Sequence, residues 1–479
     1  MNHSNVILYL LPELIVLFAA IVVLMLGLSK KANANIIFYT TQLAVVAAFV
    51  ITALSQPDAK YAFFYNQFIV DPLASLLKAV ILVIVFFVFI YGRHYIRDRS
   101  IQIAEFYALA LLSVFGMMIL VSTANLISLY LALECLSLPI YAMVALERKR
   151  VECVEAAMKY FVTGAFASGL FLYGMSMLFG ATGSLDIPLI AHYAVNMGGN
   201  HILLLSFGLV FALAGMLFKL GIAPFHMWVP DVYEGSPSNV TLFLSSAPKI
   251  AAFALLVRLL VFALPSLSIE WHDAILIAAL LSIALGNILA IVQENIKRLL
   301  AYSSIAHMGY AMLAFSVATA YGEEAALFYL IAYSIMTVGA FGMIVLLSNS
   351  GFEVENISDL AGLNTRNSWL AFLMLLIMFS MAGVPPIIGF IAKMRILEAL
   401  MRAHFVWAAV YALVFAIIGA YYYLRVVKIM YFEEPRREIK TYYTKPQAIA
   451  LGVNSLAVLV LGIYPVPLFH LCQIAFMTH

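Results

Sequence analysis

The sequence predicts an all-α polytopic membrane protein of about fourteen transmembrane helices, with an internal repeat marked by two broken helices. Three observations carry this. Of 479 residues, 65% are hydrophobic and only 10% charged, which leaves too little polar surface for a water-soluble chain of this size. Apolar runs of roughly 20 residues, the length that crosses a hydrocarbon core, recur from end to end. They are too long and too uniformly apolar for barrel strands. With no water in the bilayer core, each must satisfy its backbone internally, so they are helices. Finally, two of the runs carry matching Gly/Pro interruptions, each beside a lysine.

The first run, 6–28, is too long for the apolar region of a signal peptide and has no basic flank before it. It ends at Lys30-Lys31 and reads as a span. Runs 35–55 and 71–91 complete an N-terminal group of three within 1–103. Five follow at 104–122, 126–146, 153–180, 201–229 and 238–264. Five more lie at 272–292, 297–319, 323–348, 368–401 and 404–431, and a last one at 446–476 within a C-terminal segment 446–479. Several exceed 25 residues, which implies tilt, a break or an extension beyond the membrane. The longest polar gaps, 181–200, 349–367 and 432–446, are too short for a soluble domain.

Lys and Arg fall unevenly between the loops. One alternate set holds Lys30, Lys31, Arg93, Arg97, Arg99, Arg148, Lys149, Arg150, Lys297, Arg298, Arg366, Arg436, Arg437, Lys440 and Lys445. The opposite set holds Lys60 and Arg402. Fifteen against two places the first set in the cytoplasm and both termini outside. A net charge of +2 gives no reason to expect a nucleic-acid partner. Cys135, Cys153 and Cys472 have no disulfide or metal-ligand spacing. Phosphate-loop and dinucleotide motifs are absent, as is a histidine pair spaced for a transmembrane haem, so no redox centre is expected in this chain.

The two interruptions read Lys219-Leu-Gly-Ile-Ala-Pro224 and Gly383-Val-Pro-Pro386, the second followed by Gly389 and Lys393. Gly and Pro in mid-span free backbone groups and break the helix. Paired breaks in two halves are the cue for a transporter with internal repeats.

Most charges sit in loops, so the intramembrane exceptions are informative, each costing about 2.5–3.5 kcal/mol on insertion scales. They are Glu134, Lys159, Lys219, Lys249 and Lys393. A set of structural ion pairs would need more carboxylates, since the four lysines have one obvious partner, Glu134. Five such groups point to a hydrated chain that moves protons. Glu134 and Lys159 lie on consecutive helices and are expected to pair. Lysine suits such a switch because desolvation and a nearby carboxylate act on its charge in opposite senses. A three-unit pKa swing is about 4 kcal/mol, and moving one proton against roughly 180 mV costs about the same. His226 and His307 can relay protons near neutral pH. Lys78 and Arg258, near helix ends, are expected to snorkel. Arg395 is a lower-ranked candidate, and Asp71, Asp231 and Glu234 are expected in solvated or capping roles. The 22 Met, 34 Phe and 26 Tyr are expected to be lipid-facing packing.

The stretch from Lys219 through Ala-Pro-Phe-His226-Met-Trp-Val-Pro-Asp231-Val-Tyr-Glu-Gly-Ser-Pro resembles the signature of the proton-conducting antiporter-like family. That family comprises complex I membrane subunits, Mrp-type cation/proton antiporter subunits and hydrogenase-linked relatives. Ser-Ala-Pro-Lys249, Asn295-Ile-Lys297-Arg298 through His307, and Gly383 through Lys393 also match, and the likeness covers essentially the whole chain. The pattern is most similar to the N-type branch, from bacterial NADH-quinone oxidoreductase (complex I). Lys393 stands where an M-type subunit is expected to have glutamate, and a sequence that ends soon after the fourteenth run argues against an L-type subunit with its long lateral helix. The resemblance implies two inverted five-helix repeats, about 104–264 and 272–431. It also implies a coupling pair Glu134–Lys159, a central Lys219, a connecting Lys249 and a terminal Lys393. It implies a translocase subunit of the bacterial inner membrane, without cofactors of its own. NADH, FMN, iron–sulfur clusters and quinone would be bound by partner subunits. Its implied partners are M-type and small K-, J- and A-type membrane subunits, with lipid around them. The alternative is a subunit of an Mrp-type antiporter or hydrogenase-linked complex.

Overall fold

The computed structural model describes residues 3–29, 33–57, 59–99, 101–195, 200–348, 352–435 and 443–476. The loop cations Lys30, Lys31, Arg436, Arg437 and Lys440 lie outside the described residues. Three helices open the chain: α1 (His3–Leu28), α2 (Ala34–Leu54) and α3 (Pro72–Asp98), with a hairpin of β1 (Tyr61–Phe63) and β2 (Phe68–Val70) before α3. Next come α4 (Ile103–Val121), α5 (Leu126–Val144), α6 (Val151–Thr182), the short α7 (Ile187–Val195), α8 (Asn200–Leu220) and α9 (Trp228–Gly235). Then α10 (Ser238–Leu244) and α11 (Ala247–Leu256) run into a π-helical segment, Val257–Ala263. A second series holds α12 (Ser268–Ile291), α13 (Ile296–Phe315), α14 (Ala320–Leu347), α15 (Leu363–Arg366), α16 (Ser368–Ala382), α17 (Ile388–Arg402) and α18 (Val406–Phe432). The last two are α19 (Lys445–Ile463) and α20 (Val466–Phe476).

Twelve described segments are long and apolar enough to cross a membrane, and α13 with the broken pair α16–α17 brings the number of spans to fourteen. The breaks fall where Gly and Pro predict them. α8 stops at Leu220 before Gly221, and α16 stops at Ala382 before Gly383. The C-terminal run, expected as one helix, is two. Pro465 has no N–H to continue α19 and disfavours helical backbone at Tyr464. Helix α7 fills part of the gap expected to be loop.

A repeat is written in the backbone. Asn125 caps α5 and Asn295 caps α13, each with its side-chain oxygen on an early helical N–H. Leu126 N–H donates to Leu185 O at 2.8 Å, and Ile187 N–H to Ala124 O at 3.0 Å. Exactly parallel bonds, 170 residues further along, join Ile296 to Glu355 O at 2.7 Å and Ile357 to Glu294 O at 2.9 Å. Gly116 and Gly286, also 170 apart, let α4 approach α5 and α12 approach α13; an added Cβ would lie 2.4 Å from Leu136 N and 2.6 Å from Ala306 N. Because five spans separate equivalent points, the two repeats cross the membrane in opposite senses. The core lies around 238–260, buried throughout, and α14.

Two expectations fail here. Neither Lys78 nor Arg258 snorkels. Lys78 pairs with Glu13 of α1, both almost fully buried. Arg258, fully buried, forms a two-pronged pair with Asp71 at 2.6 and 2.9 Å and also donates to Val121 O. Depth is the reason: a charge this far inside must be neutralised by a partner. Asp71 also caps α3. The Arg258–Asp71 bonds tie the N-terminal helices to the first repeat, and Lys78–Glu13 ties α3 to α1.

Candidate functional site

At the first break, Lys219 lies one residue before the end of α8. Its Nζ donates to Ser137 Oγ at 2.9 Å and to Tyr141 OH at 3.2 Å, both on α5. Glu134 sits one turn before Ser137 on the same helix. Its Oε1 is buried with no hydrogen-bond partner among the described residues. Lys249 reaches in from α11, donates to Leu220 O and lies 5.8 Å from the centre of the Trp228 ring. His226 is half-buried in the loop between the half-helices, its Nδ1 without a partner among the described residues.

At the second break, Lys393 of α17 donates to Met381 O at 3.1 Å and Ala382 O at 2.8 Å, and lies 5.5 Å from the Tyr310 ring centre. His307 is buried between two tyrosines, with Nδ1 2.7 Å from Tyr329 OH and Nε2 2.9 Å from Tyr423 OH. Tyr423 OH in turn meets Ser303 Oγ. By the 170-residue offset, His307 occupies the place of Ser137, the hydroxyl that holds Lys219. Arg395 turns elsewhere, to Tyr321 OH, to Glu398 at 3.4 Å and onto the Phe469 ring at 3.9 Å.

Lys159 is not buried, and it does not pair with Glu134. Its Nζ lies 2.9 Å from Glu155, one turn earlier on α6, and 2.9 Å from Asp231 on α9. The Glu134–Lys159 ion pair expected from the sequence is thereby corrected: Glu134 is half-buried on α5, one turn from the Ser137 that holds Lys219, while Lys159 faces α9. Asp231 is no simple cap either. Its other oxygen accepts from Arg298 of α13 at 2.9 Å, and Arg298 also holds Glu234 at 2.7 Å. One carboxylate thus joins a lysine of the first repeat to an arginine of the second. These groups line a charged pocket of about 640 Å³ with Arg99, Arg150 and Glu353. Glu353 lies in the loop before α15. Burial alone would raise its pKa, but Lys297, Arg99 and hydrogen bonds from Ser238 and Tyr95 hold it below the usual carboxylate value.

Residues 123–419 match the family described as NADH:quinone oxidoreductase/Mrp antiporter, TM. The NADH-quinone oxidoreductase subunit N of Coxiella burnetii is 53% identical over 471 residues, covering 97% of this chain and 98% of that protein. This chain belongs to the NADH-quinone oxidoreductase subunit N family. Subunit N of Nitrosomonas europaea, another member, is 47% identical over 95% of this chain and 94% of its own length. Among solved structures, a chain of respiratory complex I from Thermus thermophilus with bound aureothin superposes with a TM-score of 0.83 at 31% identity, covering 96% of this chain and 99% of that one. A chain of the Mrp complex from Dietzia sp. DQ12-45-1b, covering 99% of this chain and 97% of its own, has a TM-score of 0.86 at 18% identity, a likeness of fold alone.

Several participants in this subunit N site were missed by the sequence reading. Tyr329, Tyr423 and Tyr141 belong to a residue class expected to face lipid, yet the first two are almost wholly buried and all three bond to site residues. Their signal was available in part: each lies on a helix packed between others, at a depth where a hydroxyl needs a partner.

Proposed function

We propose that protons travel through this subunit from the charged pocket at Lys159, past Lys219 and Lys249, to His307 and Lys393. As a member of the subunit N family, the chain is a proton-translocating membrane subunit of NADH-quinone oxidoreductase. The observation that carries the route is how the inner lysines are held. Lys219, Lys249 and Lys393 bond to hydroxyls and backbone carbonyls, with no carboxylate in contact among the described residues. A lysine held by neutral acceptors can release its proton without stranding a bonded counter-ion. His307, between two hydroxyls, can receive on one nitrogen and give from the other.

Arg99, Arg150 and Arg298 of the charged pocket come from the cation-rich loops, which supports entry from the cytoplasmic side and termini on the periplasmic side. NADH, FMN, iron–sulfur clusters and quinone then belong to partner subunits, and the membrane neighbours are M-, K-, J- and A-type subunits. An Mrp-type antiporter subunit would use the same lysines. Co-purification with a flavin and iron–sulfur arm separates the two. The test of the route is Lys219→Ala. The complex should assemble while proton uptake by inverted vesicles during NADH oxidation falls sharply. Unchanged uptake in the assembled complex removes Lys219 from the path.

A further inference from the structure

We propose that Gly221 and Gly383 are positioning residues, which seat Lys249 and Lys393 on the open carbonyl ends of the two broken helices. The inference rests on the proton route above and assigns a role to two backbone positions within it. A helix that stops in mid-membrane leaves its last carbonyls without N–H partners and a partial negative charge at its end. At the first break the last helical carbonyl is that of Leu220, and Lys249 Nζ donates to it. At the second it is that of Ala382, and Lys393 Nζ donates to it at 2.8 Å. In both, the next residue is a left-handed glycine, Gly221 at φ +73° and Gly383 at φ +88°.

The lysines arrive from different helices. Lys249 comes from α11, in the span after its break, whereas Lys393 comes from α17, the second half of its own broken helix. By this geometry Lys393 is the working counterpart of Lys249 rather than of Lys219, which bonds to α5 instead. The glycines make room for the ammonium groups. A Cβ on Gly221 would stand 3.1 Å from Lys249 Nζ and 2.6 Å from Val229 Cγ2. A Cβ on Gly383 would stand 2.9 Å from Lys393 Cδ and 3.1 Å from its Nζ. Gly183, the cap of α6, has the same backbone at φ +68° but nothing within 4 Å of its Cβ position. It serves as the internal control.

Asparagine separates the two reasons for glycine, because it tolerates left-handed backbone yet still carries a Cβ. The assay is proton uptake per NADH oxidised in inverted vesicles, normalised to assembled complex. Gly221→Asn and Gly383→Asn should each lower it by about tenfold, the scale of one charged hydrogen bond, while Gly183→Asn leaves it unchanged. Gly383→Asn should add nothing to Lys393→Ala, since both act through one group. Wild-type uptake in the two Asn variants, or a fully additive loss in the double variant, overturns the seat. If Lys249→Ala and Lys393→Ala themselves pump normally, the proton route fails as well. Should an Asn variant not assemble, Lys393→Gln is compared with Lys393→Leu. Glutamine can still donate to Ala382 O and should assemble as wild type, whereas leucine should lower the amount of complex. Equal assembly of the two also overturns the seat.

Discussion

Replacing Asp231 by asparagine keeps the shape of the side chain and removes the charge that two cations share. Lys159 Nζ and an Arg298 nitrogen each lie 2.9 Å from a different Asp231 oxygen. Two unit charges at this distance attract by about 1.4 kcal/mol in water and by about 6 kcal/mol at an effective dielectric constant of 20. Both pairs open on the charged pocket, and Lys159 keeps Glu155, so the lower end applies. A cost of about 1–2 kcal/mol, or roughly 5- to 30-fold, is expected for the step that passes Lys159. Proton uptake by inverted vesicles, normalised to assembled complex, should fall by that factor. In double-mutant cycles Lys159 should couple to Asp231 and not to Glu134. Coupling to Glu134, with a silent Asp231→Asn, would refute the reassignment of the Lys159 partner.

Glu134→Gln should slow coupled turnover more than Glu134→Asp, because only Asp keeps a charge one turn from the Ser137 that holds Lys219; equal rates in Gln and wild type would make Glu134 structural. Arg258→Ala removes the arginine from a fully buried pair with Asp71 and should destabilise the subunit by about 3–5 kcal/mol, read as loss of assembled complex on heating. Glu353→Gln should lower the melting temperature at pH 7, because Arg99 loses its carboxylate at 2.5 Å. The sign with pH follows from the lowered value: the contribution is complete above the unfolded carboxyl pKa of about 4.3 and disappears as pH falls through the folded one. The wild-type advantage over Glu353→Gln should therefore vanish in acid, as thermal denaturation at a series of pH values would show.

The breaks were legible because Gly and Pro act locally: Gly221 and Gly383 end their helices for reasons contained within a few residues. The buried lysines were legible because a charge inside a long apolar run stands out whatever surrounds it. Partners were another matter. Glu13 meets Lys78, Asp71 meets Arg258 and Asp231 meets Lys159 only after helices distant in sequence pack together. Adjacent helices suggested Glu134 for Lys159, but helical neighbourhood does not fix which face a side chain takes, and α6 turns Lys159 towards α9. The tyrosines around His307 were hidden for the same reason. A Tyr in an apolar run reads alike whether it faces lipid or holds a histidine.

The central claim, a continuous hydrated route through the buried lysines, is tested most directly by a structure of the native assembly at a resolution that shows internal water. It should place ordered waters between Lys219 and Lys249, on to the His307–Tyr423 group, and beside Lys393. Dry, close apolar packing between Lys219 and Lys393 in that assembly would contradict it.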